Sequence, residues 1–294
     1  MAVQPVMHKK NGTSDTSRSY SLNLWANCPI AAIREGSIDG IIMEDDFLEL
    51  QSEDGTDDVY QKYIDTGNTI RLLATTTTLH GGVVRLATDA TDNDGPVLAR
   101  SGANAGTTAS GPFIIGNTAN AAFPIWAEFR FKKSSVTDNQ AAVFLGLMGG
   151  SGAARAGDNG VLTDDTGDIV DSVSAIGFRV LHDNGEELDF AWQDAAQTSP
   201  VEIANIATLT ADTWIKVGFF YNPQADASKK IRLFVNNVEY ATAVTTTNID
   251  AATFPENDAL LPVFALKNGE ATACNLDIDR YRIVQVFDSE YLVA

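Results

Sequence analysis

The amino-acid sequence predicts an all-β fold, a β-sandwich of two antiparallel sheets preceded by an extended N-terminal arm. Several short segments alternate between apolar and polar residues, which is typical of strands with one buried and one solvated face. Two-residue turn signals separate some of these segments. Helical periodicity is not sustained over three turns anywhere, apart from a weak signal at residues 46–63. Short strands joined by tight turns favour a sandwich.

The clearest alternation lies in the segment IWAEFRFK, residues 125–132. Its apolar positions are expected to face the core and its charged positions the solvent. The pattern recurs at residues 176–180 and 231–235, whereas residues 213–221 and 261–266 are apolar on nearly both faces and predict central strands. The side chains predicted for the core are Phe129, Phe131, Phe178, Phe219, Leu233 and Phe264.

Two dipeptides predict hairpin turns. Asn184-Gly185 and Asn236-Asn237 each separate two apolar segments. Asn and Gly accept the positive φ angles that a tight primed turn requires. We therefore expect a strand on each side of both dipeptides.

Charge and composition divide the chain into three parts. Residues 1–40 are polar and irregular and predict an extended arm, in which Lys9, Lys10 and Arg18 outnumber Asp15 over the first twenty positions. Residues 41–68 are predicted to be an acidic connecting segment, since positions 41–60 contain no Lys or Arg. Residues 69–294 are predicted to form the sandwich. We expect that the arm can be deleted without unfolding the sandwich.

The overall charge of the chain limits the classes of partner that it is expected to bind. The chain has 294 residues with 20 Lys and Arg against 39 Asp and Glu, so its formal net charge is −19. Such a chain repels phosphate backbones and anionic lipids, which argues against nucleic-acid or membrane partners. No export signal or membrane-spanning run is found, and Cys28 and Cys274 are predicted to be reduced thiols. We expect synthesis in a reducing cytoplasm.

The second half of the sequence resembles a known family. The resemblance rests on WAEFRFK at residues 126–132, on TWIKVGFFYNPQADASKKIRLFVNNVEYAT at 213–242 and on the long last segment at 261–286. These residues are similar to concanavalin A-like (LamG-like) jelly rolls and, more narrowly, to those in structural proteins of tailed-bacteriophage virions. The resemblance implies a jelly-roll fold and a structural role in a virion, although the same architecture also serves lectins and glycosidases.

Catalytic motifs are incomplete. Jelly-roll glucanases carry their carboxylates as E-x-D-x-x-E on one strand, and Glu187 and Asp189 begin that pattern, but position 192 is Trp. Asp277 and Asp279 also share a strand face, but a solvated rim or a pair of backbone-bonded carboxylates explains them as well. There is no G-x-S-x-G elbow and no phosphate-binding loop. The sequence therefore predicts that the chain is not an enzyme.

One loop is a candidate calcium site. Asp89, Asp92 and Asp94 supply hard oxygen ligands within DATDNDG. Turn chemistry explains the same residues, because Asp and Asn before Gly favour turns. No other cofactor is predicted.

The predicted function is that of a capsid decoration (cement) protein on the outside of a phage head. Its partners would be the major capsid protein and neighbouring copies, with a homo-oligomer, for example a trimer, expected from the places such proteins occupy on icosahedral heads. Trp25 is either an anchor for a partner or a residue that folds back onto the sandwich. The alternative is a carbohydrate-binding module of a phage fibre or tail appendage that recognises glycan through its loops. The predicted partner-binding residues in the arm are Lys9, Lys10, Arg18, Leu22, Leu24 and Trp25.

Overall fold

The computed structural model confirms the all-β sandwich of two antiparallel sheets. It describes residues 18–48, 50, 59–73, 82–100, 111–116, 123–149, 160–256 and 258–287. Within these residues, each sheet has eight strands.

The first sheet has the strand order β14-β13-β12-β7-β16-β4-β3, and β1 pairs with the second half of β16. Its strands are β1 (Gly40–Asp45), β3 (Thr69–Leu72), β4 (Val84–Ala87), β7 (Ile125–Lys133), β12 (Ile215–Tyr221), β13 (Ile231–Val235), β14 (Val238–Glu239) and β16 (Asn275–Val286).

The second sheet has the order β11-β10-β9-β8-β15-β5-β2, with β6 paired to β15. Its strands are β2 (Tyr60–Tyr63), β5 (Val97–Arg100), β6 (Phe113–Ile114), β8 (Ala141–Met148), β9 (Ala175–Val180), β10 (Glu187–Gln193), β11 (Val201–Thr208) and β15 (Ala259–Asn268). The short helices are α1 (Leu22–Trp25), α2 (Ile30–Arg34) and α3 (Thr246–Ile249).

The core lies between the two sheets and contains all six side chains predicted for it. Phe129 on β7 contacts Phe178 on β9 and Phe264 on β15, with ring centroids 6.2 and 6.0 Å apart. Aromatic side chains from the two inner faces therefore interlock across the sandwich, as is typical of face-to-face sheet packing.

The turn at Asn236-Asn237 is confirmed. Both residues have positive φ angles, 48° and 72°, and they join β13 to β14. The second dipeptide behaves differently, because β9 and β10 are joined by residues 181–186 and neither Asn184 nor Gly185 has a positive φ. The Gly185 N–H instead donates to the carboxylate of Asp138.

The N-terminal third differs from the predicted division into arm and connecting segment. The described part of the arm contains α1 and α2 rather than extended chain, and β1 and β2 place residues 40–45 and 60–63 in the two sheets. The Tyr60 hydroxyl donates to Asp45 Oδ2 at 2.7 Å and lies 3.1 Å from the Tyr281 hydroxyl. These contacts tie the predicted connecting segment into the body of the sandwich.

Candidate functional site

The outer face of the first sheet is covered by the N-terminal segment, defined here as residues 18–45. Leu24 on α1 is buried against an apolar cluster that includes Trp126, Phe220 and Val284. Trp126 and Phe220 are stacked, with ring centroids 4.5 Å apart. A Cβ at Gly218 would lie 2.5 Å from Leu24 Cδ2, so a glycine is needed there for α1 to approach the sheet.

Charged side chains form a second set of contacts between the N-terminal segment and the outer face of the first sheet. Arg18 Nη2 lies 2.8 Å from Asp279 Oδ1, and Arg130 Nη1 donates to Asp279 Oδ2 at 2.7 Å. Asp279 is buried, and the two cations occupy one carboxylate oxygen each. Arg18 therefore fixes the beginning of the N-terminal segment to β16 and β7.

Glu128 on β7 forms the second charged contact. Its side chain is almost fully buried, and its Oε1 accepts a hydrogen bond from Arg280 Nη2 at 3.1 Å. Its Oε2 accepts from the Ser21 backbone N–H at 2.8 Å and from the Trp25 indole N–H at 3.2 Å. Glu128 thus joins the sheet to the N-terminal segment through two donors, Ser21 and Trp25, while Arg280 of the same sheet is its counter-ion.

Tyr20 lies above two arginines of β16. The guanidinium carbons of Arg280 and Arg282 lie 3.8 and 3.4 Å from the centre of its ring. Burial raises the pKa of the Tyr20 hydroxyl above its usual value, and the two arginines oppose that rise. Arg282 also donates to Glu44 on β1 at 2.6 Å. Tyr20 therefore takes part in a cation–π contact within the chain.

The predicted partner-binding residues separate into three groups. Arg18, Leu24 and Trp25 contact the chain's own sheet, so for Trp25 the alternative of folding back onto the sandwich applies. Leu22 is 70% exposed. Lys9 and Lys10 lie outside the described residues. Because residues 18–40 contribute to the sandwich, the expectation that residues 1–40 can be removed is revised, and a deletion that preserves the described contacts ends before Arg18.

Glu128 and Arg130, two charged positions of β7, are not solvated, contrary to the expectation from alternation, whereas Lys132 is partly exposed. Glu128 and Arg130 are buried because the N-terminal segment and its ion pairs lie over them. Asp277 is also buried and accepts two hydrogen bonds from Arg85, at 2.6 and 2.8 Å. The expectation of a solvated rim or of backbone-bonded carboxylates is therefore wrong for Asp277 and Asp279, because both are buried and are held by arginine side chains.

The outer face of the second sheet is covered as well. Leu162, Ile169 and Val173, from the loop before β9, pack on residues of β8 and β15 such as Phe144 and Val263. The loop thus covers part of the outer face of the second sheet.

The incomplete glucanase motif lies on β10, beside this loop. Trp192 points into the core between the sheets, so a carboxylate at this position would not be on the outer face. Burial raises the pKa of the Asp189 carboxyl, while the Asn205 backbone N–H at 2.8 Å and Arg179 oppose the rise. Asp189 is thus held by β9 and β11.

The loop predicted to bind calcium is organised by turn contacts. Asp89 Oδ1 accepts the Thr91 backbone N–H at 2.8 Å, and Asn93 has a φ of 63°. The Asn268 amide donates to the carbonyl oxygens of Asp89 and Thr91, at 2.7 and 3.0 Å. In the part of the chain that the structure describes, no three His, Cys, Asp or Glu side chains converge to hold a metal. Asp89 thus makes a turn contact of the expected kind, and the calcium site at Asp89, Asp92 and Asp94 stays a prediction.

His182 connects the loop over the second sheet to the body. It is buried, its Nε2 lies 3.2 Å from the Lys267 carbonyl oxygen, and its backbone N–H donates to Thr166 O. Burial lowers the pKa of the imidazole below 6.5, and the nearby Lys133 and Lys267 lower it further, whereas Asp92 and the bond to Lys267 O oppose this.

This shift predicts a pH dependence of stability. Because the folded state binds the His182 proton less readily than the unfolded state, the free energy of unfolding should fall as the pH drops below about 6.5. Urea denaturation at pH 7.5 and pH 5.5 measures the difference, which should be smaller in His182→Gln. Equal differences in the two proteins would exclude His182 as a source.

Comparison with known proteins yields structural neighbours only. No protein-family model and no curated protein sequence matches the chain. Similar solved structures include a protein of unknown function from Shewanella oneidensis MR-1, with 13% identity and a TM-score of 0.49 over 88% of this chain and 94% of that chain. A glucuronan lyase from the fungus Trichoderma reesei has 11% identity and a TM-score of 0.48, over 82% and 94%. A Bacillus licheniformis β-glucanase has 14% identity and a TM-score of 0.47, over 82% and 97%.

At these identities the similarity concerns the fold alone. The prediction that the chain is not an enzyme is nevertheless wrong, because it rested on the fold and on an incomplete motif. A lyase and a glucanase have this architecture, so neither the jelly roll nor an incomplete motif excludes catalysis. Separately, no helix among the described residues is long and apolar enough to cross a bilayer.

Proposed function

We propose that the chain is a structural protein of a tailed-bacteriophage virion and that it decorates the outside of the head. Its partners are the major capsid protein and neighbouring copies of the chain. The resemblance of residues 126–132, 213–242 and 261–286 to jelly rolls of phage virions motivates the proposal.

The anchoring of the N-terminal segment is the structural observation that supports this proposal. Arg18 is held by Asp279, while Ser21 and Trp25 are held by Glu128. Residues 1–17, which include Lys9 and Lys10, are thereby joined to the body at a fixed point. A basic segment fastened to a body of net charge −19 can attach to an acidic surface without unfolding the sandwich.

Leu22 adds an apolar contact to this proposed docking surface. It is 70% exposed, although Leu24 two residues later is buried. Asn23, which follows Leu22, donates two hydrogen bonds to Asn237 in the turn before β14, from its backbone N–H at 2.9 Å and from its side-chain amide at 2.7 Å. The turn therefore holds α1 with Leu22 directed away from the core, where a partner can cover it.

A deletion of residues 1–17 tests the proposal. All described contacts remain in this variant, so its unfolding midpoint should equal that of the full chain. Mixed with phage heads that lack the protein and then sedimented, the variant should bind at least about tenfold more weakly, as expected when two lysines and their contacts are lost.

A second variant provides the control. Ile64→Ala removes an apolar side chain that is 43% exposed and lies directly after β2 of the second sheet, so it leaves the N-terminal segment and its contacts intact. It should bind heads like the full chain. Full occupancy by the deletion variant would contradict docking through the N-terminus. Failure of the full chain to bind heads would contradict the decoration role and favour the carbohydrate-binding alternative.

A further inference from the structure

A row of charged side chains crosses the outer face of the first sheet beyond the beginning of the N-terminal segment. Arg71 on β3 is directly opposite Arg85 on β4. Asp277 on β16 is opposite both Arg85 and Lys132 on β7. These four side chains therefore form a line perpendicular to the strands.

Trp214 continues the line by one more strand. It precedes Ile215, which is opposite Phe131, so Trp214 lies beside Lys132 at the beginning of β12. The guanidinium carbon of Arg130 lies 4.3 Å from the centre of the indole ring, and Lys132 Nζ lies 5.5 Å from it. With strands about 4.8 Å apart, the row from Arg71 to Trp214 spans about 19 Å.

Cations exceed carboxylates in this row. Asp277 is buried and is shared by Arg85, with two hydrogen bonds, and Lys132, at 3.5 Å. Arg71 is exposed, and among the described residues it forms no ion pair. Asp212, which is 3.5 Å from Lys132, is largely exposed at the edge of the row.

Arg71 lies directly opposite Arg85, and of the two only Arg85 is paired with a carboxylate among the described residues. Like charges directly opposite each other on neighbouring strands repel. The chain has 39 acidic residues against 20 basic ones, and yet two of the basic residues face each other here. An anion between the two guanidinium groups would remove this repulsion, and each group offers planar donors that suit a carboxylate.

We propose that this row binds a short acidic saccharide, with a sugar carboxylate between Arg71 and Arg85 and a further sugar ring against the half-buried Trp214. A ligand of this kind lies across the strands, as the row does. A bound peptide would instead extend along the exposed edge strand β3. The ligand is short because the net charge of −19 repels a long polyanion, whereas local contacts act within about 8 Å.

Calorimetric titration of the purified full chain with tetragalacturonate tests the proposal, with maltotetraose as the neutral probe. Tetragalacturonate should bind and maltotetraose should not. Arg71→Ala should weaken binding at least about tenfold, because a charge-assisted hydrogen bond is lost. Arg232→Ala is the matched control, since Arg232 lies on β13 near the opposite edge of the same sheet and pairs with Glu239. It should bind like the full chain.

Several results would overturn the assignment. Equal binding of the neutral probe, or equal loss in Arg71→Ala and Arg232→Ala, would show that the row does not select an acidic ligand. Tetraglutamate binding more tightly than tetragalacturonate would assign the row to an acidic peptide instead. Absence of any binding to the full chain would exclude the site. None of these results depends on phage heads, so the decoration role is tested separately.

Discussion

Replacement of Glu128 by Ala is expected to lower the free energy of unfolding by about 3–5 kcal/mol. The carboxylate is buried and pairs with Arg280, which is itself buried, so the variant leaves a guanidinium without its counter-ion. Ser21 N–H and the Trp25 indole N–H lose their acceptor at the same time. Urea denaturation of the full chain and the variant at pH 7 measures the loss.

Glu44→Ala is the control for this prediction. Glu44 pairs with Arg34 and Arg282, but its side chain is about one-third exposed, so the loss should remain below about 1 kcal/mol. A similarly small loss for Glu128→Ala would contradict the view that buried ion pairs fasten the N-terminal segment to the sheet.

Phe129→Ala should also lower the free energy of unfolding by about 3–5 kcal/mol. The ring is fully buried on the inner face of β7 and contacts Phe178 and Phe264 of the second sheet. Its removal takes away apolar contact with both and leaves a cavity between the sheets. Thermal and urea denaturation should both report the loss.

Exposed positions provide the comparison for Phe129. Val238→Ala, at a side chain that is 62% exposed, should change stability by less than about 0.5 kcal/mol. A loss below about 1 kcal/mol for Phe129→Ala would mean that the two faces of β7 are reversed.

The sandwich was predictable because the alternation of apolar and polar residues along a strand indicates which side chains face the core. Phe129 and Phe131 alternate with charged residues, and both lie in the core as predicted. The Asn236-Asn237 turn was predictable because few residues accept its positive φ angles. In these cases a local sequence pattern has one dominant structural consequence.

The burial of Glu128 could not be read from β7 itself. Its partners are Ser21 and Trp25, more than 100 positions away, and Arg280, more than 150 positions away. A charged residue on an alternating strand predicts solvent unless another segment covers it. The Leu22-Leu24-Trp25 cluster indicated a contact, but it did not distinguish the chain's own sheet from a partner.

The arrangement of β16 also departs from simple alternation. The register between β16 and β7 shifts between Ile278 and Arg280, which inserts an extra residue. Asp279 and Arg280 consequently both contribute to the charged outer face, while Tyr281 returns to the core. A β-bulge redirects side chains in this way, and nothing in the local sequence marks its position.

The charged row has a similar origin. Arg71, Arg85, Lys132 and Asp277 come from four strands, of which only β3 and β4 are consecutive in the chain, and the strand order brings them into line. The acidic composition of the whole chain conceals this local excess of cations. The sequence therefore predicts a binding site only at the loop from Asp89 to Asp94, because the acidic residues there are close together in the chain.

Saturation binding of the full chain to phage heads that lack it tests the decoration role most directly. Heads are mixed with increasing protein, sedimented, and the bound copies are counted per head. The decoration role predicts a plateau at a copy number that matches a set of equivalent icosahedral sites. Uptake that never saturates, or no co-sedimentation at all, would contradict it.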